Sequence, residues 1–264
     1  MNTPQREKPP VLAVSSGKGG AGKTIVAVNL ALRFAAQGVR TLLVDLDPGL
    51  ANVDVHMRLA GRLNLEDILL DRCQAEAAVM VGPSGLLIIP GGKDGRLIQD
   101  DSVPRRILGR LSPLFSRVDL IILDTGAGIG SWVLGSVEEA DQPLIVTQPD
   151  PASVTDAYAL LKLCRRRRPD SRPALVVNRV KDRREATLTA TRMRRVAKRF
   201  LAFEPELLGW LHEDPAVTVS VKNQTPFFME LPREHRLVLD LGAIAAQTMS
   251  RLGIASCRAG ATSV

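Results

Sequence analysis

The chain is poor in cysteine, in aromatic residues and in negative charge, and each shortage excludes something. Its three cysteines, Cys73, Cys164 and Cys257, are odd in number, far apart and form no C-x-x-C pair. That pattern excludes a disulfide framework and reads as reduced thiols; no neighbouring pattern activates any of them as a nucleophile. Aromatic residues are 3% of the chain, too few for the stacked rows of a single-strand nucleic-acid binder. No run of about 18 apolar residues occurs, which argues against a membrane-spanning helix. The first ten residues are polar and contain proline, unlike the apolar centre of a secretory signal. A cytoplasmic protein is expected, free to visit the inner face of a membrane. The formal charge of +7 suits an acidic partner, whether nucleic acid, anionic lipid or acidic protein, without choosing among them.

What is present is enough for a full-sized core: 264 residues with 45% hydrophobic content need no staple to fold. Apolar, β-branched runs alternate with longer helical patterns. Strands are predicted at 11–14, 41–45, 86–90, 118–124, 143–147, 174–178 and 207–211. The runs are continuous rather than alternating, as expected for strands covered on both faces, and the order implies an α/β fold with a mostly parallel central sheet and helices on both faces. A first helix is predicted over 25–37, stopped by Gly38. Ser153-Val154-Thr155-Asp156 reads as a capping box opening another, which Pro169 ends. A last helix is expected over about 233–252. A flexible segment 1–10, one domain 11–254 and a frayed tail 255–264 complete the plan.

Residues 15–24 read Ser-Ser-Gly-Lys-Gly-Gly-Ala-Gly-Lys-Thr. Gly17 and Gly22-Lys23-Thr24 satisfy the phosphate-loop spacing, in which backbone N–H groups wrap phosphate oxygens, the lysine reaches the outer phosphates and the hydroxyl holds magnesium. The strand before it and the helix after it are the required context. In an open parallel sheet ligands bind beyond the carboxyl ends of the strands, so aspartates there become candidates. Asp45 and Asp47 follow one strand run and Asp124 ends another. Thr24 is expected as the direct magnesium ligand and Asp124 as the holder of a magnesium-bound water, because Mg²⁺ takes few protein ligands. Asp45 and Asp47, two apart, would share a side in a continuing strand, one serving the metal and the other orienting water. Aspartates at these places also cap turns, so both readings stand.

The loop Lys18-Gly19-Gly20-Ala21-Gly22-Lys23-Thr24, the segment Asp45-Leu46-Asp47 and Asp124-Thr125-Gly126-Ala127-Gly128-Ile129 resemble the deviant-Walker ATPases of the MinD/ParA group over nearly the whole chain. Within that group the segments Asp47 to Asp54 and Val176-Val177-Asn178-Arg179 are most similar to the FlhG/FleN regulators of flagellar number and placement, although Pro48 is more typical of the DNA-segregating ParA branch. The resemblance implies a three-layer P-loop NTPase that binds ATP and Mg²⁺, forms an ATP-dependent homodimer and hydrolyses ATP. It implies that Lys18 reaches across the two-fold axis while Lys23 serves its own nucleotide, that Asp47 positions water, and that Gly17, Gly19, Gly20, Ala21 and Gly22 line the phosphates. Asn178 is implied as the reader of the adenine edge, its amide offering one donor and one acceptor; a turn residue is the alternative. Implied partners are a flagellar signal-recognition-type GTPase or a transcription regulator. The first ten residues hold no good copy of the glutamine-containing motif that activates such a GTPase. The competing reading is a ParA-like ATPase on nonspecific DNA, for which two basic stretches speak. One is Arg165 to Arg168; the other is a helix whose predicted apolar stripe is Met193, Val196, Ala197, Phe200 and Leu201 beside Arg192, Arg195 and Arg199, although the scarcity of aromatic residues favours an ordinary solvated helix face. The C-terminal apolar pattern has only Arg251 as a basic companion, which favours a packed helix over a lipid anchor. His212 is expected in a loop.

Overall fold

The computed structural model describes residues 8–47, 53–92 and 100–255. Eight strands form one sheet in the order β3-β4-β2-β5-β1-β6-β7-β8. They are β1 (Val11–Ser16), β2 (Thr41–Leu46), β3 (Met80–Val81), β4 (Leu87–Ile89), β5 (Leu120–Ala127), β6 (Gln142–Thr147), β7 (Ala174–Val180) and β8 (Glu206–His212). Every pairing is parallel except that of β3 with β4. The helices are α1 (Lys23–Ala36), α2 (Val53–His56), α3 (Leu65–Leu69), α4 (Ala75–Ala78), α5 (Val103–Arg110), α6 (Ser131–Glu139), α7 (Pro151–Arg167), α8 (Arg183–Leu201), α9 (Pro215–Asn223), α10 (Phe227–Glu230) and α11 (Arg236–Leu252).

The continuous apolar runs have the cause expected of them. Along β1, Val11 and Ala13 face a core shared with α3, α5, α6, α7 and α8, while Leu12 and Val14 face a second core built with α1 and α11. Alternate residues therefore point to opposite sides and both sides are dry, so no polar position interrupts the strand. The result is the expected three-layer α/β fold. The chain leaves β1 for β2 on one side and later returns to β6 on the other. The crevice beyond β1 is therefore the topological switch point where such sheets bind ligands.

Some local expectations are corrected. α7 opens three residues before the capping box: its N-cap is Asp150, whose side chain accepts from the Ser153 N–H, with Pro151 at the first helical position. A proline there loses no helical hydrogen bond and presets φ, which outweighs the box further on. α11 begins at Arg236 behind a His235 cap rather than at Arg233. On α8 the predicted stripe holds at Met193 and Ala197 and, half-buried against the core, at Leu201; Val196 and Phe200 are exposed, and the buried line runs on through Ala186, Thr189 and Ala190. The short edge strand β3 and the helices α2 to α5 carry too little periodicity to have been read from sequence. The segment 48–52, most of 1–10, the tail beyond Ala255 and Cys257 lie outside the described residues.

Candidate functional site

β1 ends at Ser16 and α1 begins at Lys23, so residues 17–22 form the loop between a buried strand and a helix N-terminus. Two glycines there are sterically obligatory. Gly22 caps α1 at φ 90°, and a Cβ on it would lie 2.2 Å from Nδ2 of Asn178. At Gly17 a Cβ would lie 2.2 Å from the backbone of Asp156 in α7. Three donors tie the loop down. The Ser16 hydroxyl donates to the Lys18 carbonyl at 2.8 Å, Nε2 of Gln148 to the Gly20 carbonyl at 2.9 Å, and Nδ2 of Asn178 to the Ala21 carbonyl at 2.8 Å. Carbonyls thus held from behind leave the first N–H groups of α1 as the donors available to an anion.

Three aspartates surround Lys23, itself buried. Asp47, just past β2, brings Oδ2 to 2.5 Å from its Nζ. Asp45, two residues earlier in β2, is buried, and its two oxygens accept the N–H groups of Asp47 at 3.0 Å and Val53 at 3.2 Å. Asp124 pairs in register with Asp45 across β2 and β5. It is 1% exposed, and among the described residues neither of its oxygens meets a geometrically satisfactory partner. Burial pushes its carboxyl up to about 8; Lys23 opposes this, Asp45 adds to it, and the nearby Thr24 hydroxyl and Asp47 pull in opposite directions.

A buried carboxylate with two unsatisfied oxygens is a place where a cation is favoured. The donors at hand, carboxylates and the Thr24 hydroxyl, are hard oxygens of the kind magnesium takes. Among the described residues no group of three or more acidic, histidine or cysteine side chains forms a metal cage by itself. The site therefore fits an ion that keeps waters and shares phosphate oxygens, rather than one enclosed by protein.

Lys18, half-exposed, places Nζ 3.2 Å from Oδ1 of Asp150. The same oxygen accepts the Ser153 N–H at 2.9 Å. Ser153, first, and then Lys18 hold the Asp150 carboxyl down at about 2.

The structure thus gathers every anticipated residue, from Gly17 to Thr24 with Asp45, Asp47, Asp124 and Asn178, at the carboxyl ends of β1, β2, β5 and β7. It separates the two neighbouring aspartates: β2 stops at Leu46, so Asp45 turns back as a cap while Asp47 reaches the lysine. Gln148 and Asp150, both beyond β6, were missed; their place after an apolar run was the signal that marked the other strand ends. His212 is no loop residue. It closes β8, is buried, and sets Nδ1 2.5 Å from Oδ2 of Asp240 in α11. No local pattern announces a partner that distant. A groove of about 760 Å³ lined by Arg165, Arg172 and Phe203 among others sits at the amino ends of β7 and β8 and shares no residue with the loop.

Strand, glycine loop, helix and strand-end carboxylates at a switch point define a phosphate-loop nucleotide-binding protein. The chain belongs to the CobQ/CobB/MinD/ParA nucleotide binding domain family, whose model matches residues 12–227. It is 35% identical to the antiactivator FleN of Pseudomonas aeruginosa over 84% of this chain and 80% of that protein. It is 32% identical to the flagellum site-determining protein YlxH of Helicobacter pylori over 72% of this chain and 65% of that one. Among solved structures, the septum site-determining protein MinD of Pyrococcus horikoshii complexed with Mg-ADP superposes with a TM-score of 0.76 at 21% identity, covering 93% of this chain and 98% of that chain. At that identity the likeness concerns the fold.

Proposed function

We propose that the protein is an ATP-dependent dimerising switch that hydrolyses ATP to ADP and phosphate, and that it serves the number or placement of flagella. The observation that carries the chemical part is the cluster at Lys23, where Asp47 pairs with the ammonium and Asp124 stands buried with two unsatisfied oxygens. Family membership and the likeness to FleN and YlxH support the cellular part.

In this reading Lys23 and the N–H groups at the start of α1 bind the phosphates, and the loop glycines let the backbone approach them. Thr24 and Asp124 would hold Mg²⁺, with Asp45 buried beside them and accepting the N–H groups of Asp47 and Val53. The ion, when bound, supplies positive charge to phosphate oxygens. Asp47 orients the attacking water. Lys18 leaves Asp150 and reaches the nucleotide of a second copy, where it offsets the charge of two facing triphosphates. Loss of the γ-phosphate then removes a group that both copies hold, and the dimer loosens. Asn178 lies behind the loop, its Nδ2 donating to the Ala21 carbonyl and its Oδ1 accepting the Arg179 N–H, and in this reading the second N–H and the second lone pair of the amide meet the adenine edge.

The test is the mass in solution of the Asp47→Ala protein with ATP and Mg²⁺, with and without Lys18→Ala. A dimer that forms with ATP and is lost with Lys18→Ala is expected. A chain that stays monomeric with ATP bound would overturn the cross-subunit arrangement.

A further inference from the structure

α8 seals one core with Ala186, Thr189, Ala190, Met193 and Ala197 and turns its other side to solvent. On that side Arg184, Arg192, Arg195 and Arg199 fall within an arc of about 80°, along roughly 22 Å of helix. All four are exposed, and among the described residues none makes an ion pair. The only acidic residue of α8, Glu185, is spent on the backbone N–H of Lys181 at 2.7 Å. A merely solvated helix face mixes signs at i,i+4 spacing; here Arg192, Arg195 and Arg199 follow at three and four residues and repel one another. A negative partner removes that repulsion.

The same face leaves large apolar side chains in water. Leu188, 48% exposed, lies inside the arginine arc, and Val196, 38% exposed, and Phe200, 64% exposed at the end of the helix, lie to one side of it. The guanidinium of Arg199 lies 5.2 Å from the centre of the Phe200 ring. A phosphodiester backbone satisfies the arginines but gives nothing to these three side chains. An anionic bilayer accommodates both, with headgroup phosphates for the guanidinium groups and the boundary of the acyl region for leucine, valine and phenylalanine. The arginine stems lie along such a boundary as well.

We propose that the outward face of α8 docks on an anionic lipid surface. No residue of this face belongs to the phosphate loop or the strand-end aspartates, although Arg184, Leu188 and Arg192 share a groove with Pro149 beside Asp150, and the inference stands whether or not the proposed switch does. The occupant is the membrane itself, chosen by the paired presence of unpartnered arginines and exposed apolar side chains on one helix.

The test is co-sedimentation of the full chain with vesicles of phosphatidylcholine containing phosphatidylglycerol, with pure phosphatidylcholine vesicles and with short duplex DNA at the same salt. Binding is expected to the mixed vesicles and not to the neutral ones. Arg192→Glu with Arg195→Glu should weaken it by about tenfold or more, and Leu188→Ser with Phe200→Ser should weaken it severalfold. Arg192→Gln with Arg195→Gln serves as a milder second variant, with melting curves and nucleotide binding confirming that each variant is folded. No binding to mixed vesicles, or binding indifferent to all α8 variants, overturns the proposal. So does duplex DNA bound more tightly than vesicles, lost with the arginine variants and untouched by the serine pair, which would make the face a reader of nucleic-acid phosphates.

Discussion

Nζ of Lys23 and Oδ2 of Asp47 stand 2.5 Å apart, joining the first residue of α1 to the first residue beyond β2. Both side chains are largely shielded from water, so the pair is stronger than a surface salt bridge and each partner constrains the other. A phosphate oxygen entering the loop competes with Asp47 for the same ammonium, so nucleotide binding frees the Asp47 carboxylate.

Asp47→Ala removes that competitor. The variant should bind ATP and ADP severalfold more tightly than the parent while its turnover falls on the order of 10²–10⁴-fold, the usual worth of a residue that positions a proton-transfer partner. Calorimetric titration with nucleotide and a phosphate-release assay read the two effects separately. Weaker nucleotide binding in the variant would show that Asp47 supports the loop rather than competing for it.

Asp124→Asn addresses the opposite member of the cluster. Burial penalises the charged carboxylate, so a neutral side chain of the same shape should raise the stability of the metal-free protein by roughly 1–2 kcal/mol. The same change should abolish the response of nucleotide affinity to Mg²⁺. Thermal melts with and without Mg²⁺ check both; a loss of stability would mean that the carboxylate is satisfied by groups around it.

Asp150 sets a pH dependence. Its carboxyl is held down at about 2, chiefly by Ser153 and then by Lys18, below the ordinary carboxylate value near 4. A group depressed in the folded state contributes stability that is complete above the unfolded value and is lost as pH falls toward the folded one. The contribution should therefore fade between about pH 4 and pH 2. Asp150→Asn keeps the helix cap and should flatten this part of the melting-temperature profile, whereas Asp150→Ala should cost about 1 kcal/mol at neutral pH through the lost cap. The exposed Lys18 partner adds little to stability.

Asn178→Ala separates loop support from base reading. The Ala21 carbonyl loses its donor in a buried setting, with a cost of about 1–3 kcal/mol. If the amide also reads adenine, preference for ATP over GTP should shrink; if it acts only on the loop, affinity for both nucleotides should fall by the same factor. Competition binding with the two triphosphates gives the ratio directly.

Most of the architecture was legible because burial on both faces leaves a plain trace. Runs such as 120–123 have no polar interruption, and residues just beyond such runs, Asp47 and Asp124 among them, could be nominated before any coordinates. The loop from Gly17 to Thr24 was the clearest, since a glycine at left-handed φ before Lys23 is a local necessity that spacing records. The start of α7 was placed three residues late, at Ser153, because Asp150 followed by Pro151 supplies an earlier cap whose side chain takes the Ser153 N–H. Val196 and Phe200 were assigned to the core because helical period locates a face without saying how wide it is; small residues at 186 and 190 let α8 lie close, and the stripe narrowed.

By itself the sequence determined the parallel sheet, the phosphate loop, the surplus of positive charge and the set of strand-end aspartates, because each follows from local spacing or from the composition of a buried run. Only the tertiary structure decided which aspartate meets which lysine, that Asp45 caps a turn while Asp124 is left with two unsatisfied oxygens, that His212 is buried on Asp240, and that the arginines of α8 face outward beside exposed apolar side chains. Pair energies depend on distance and burial between residues far apart in the chain, and neither quantity is carried by local sequence.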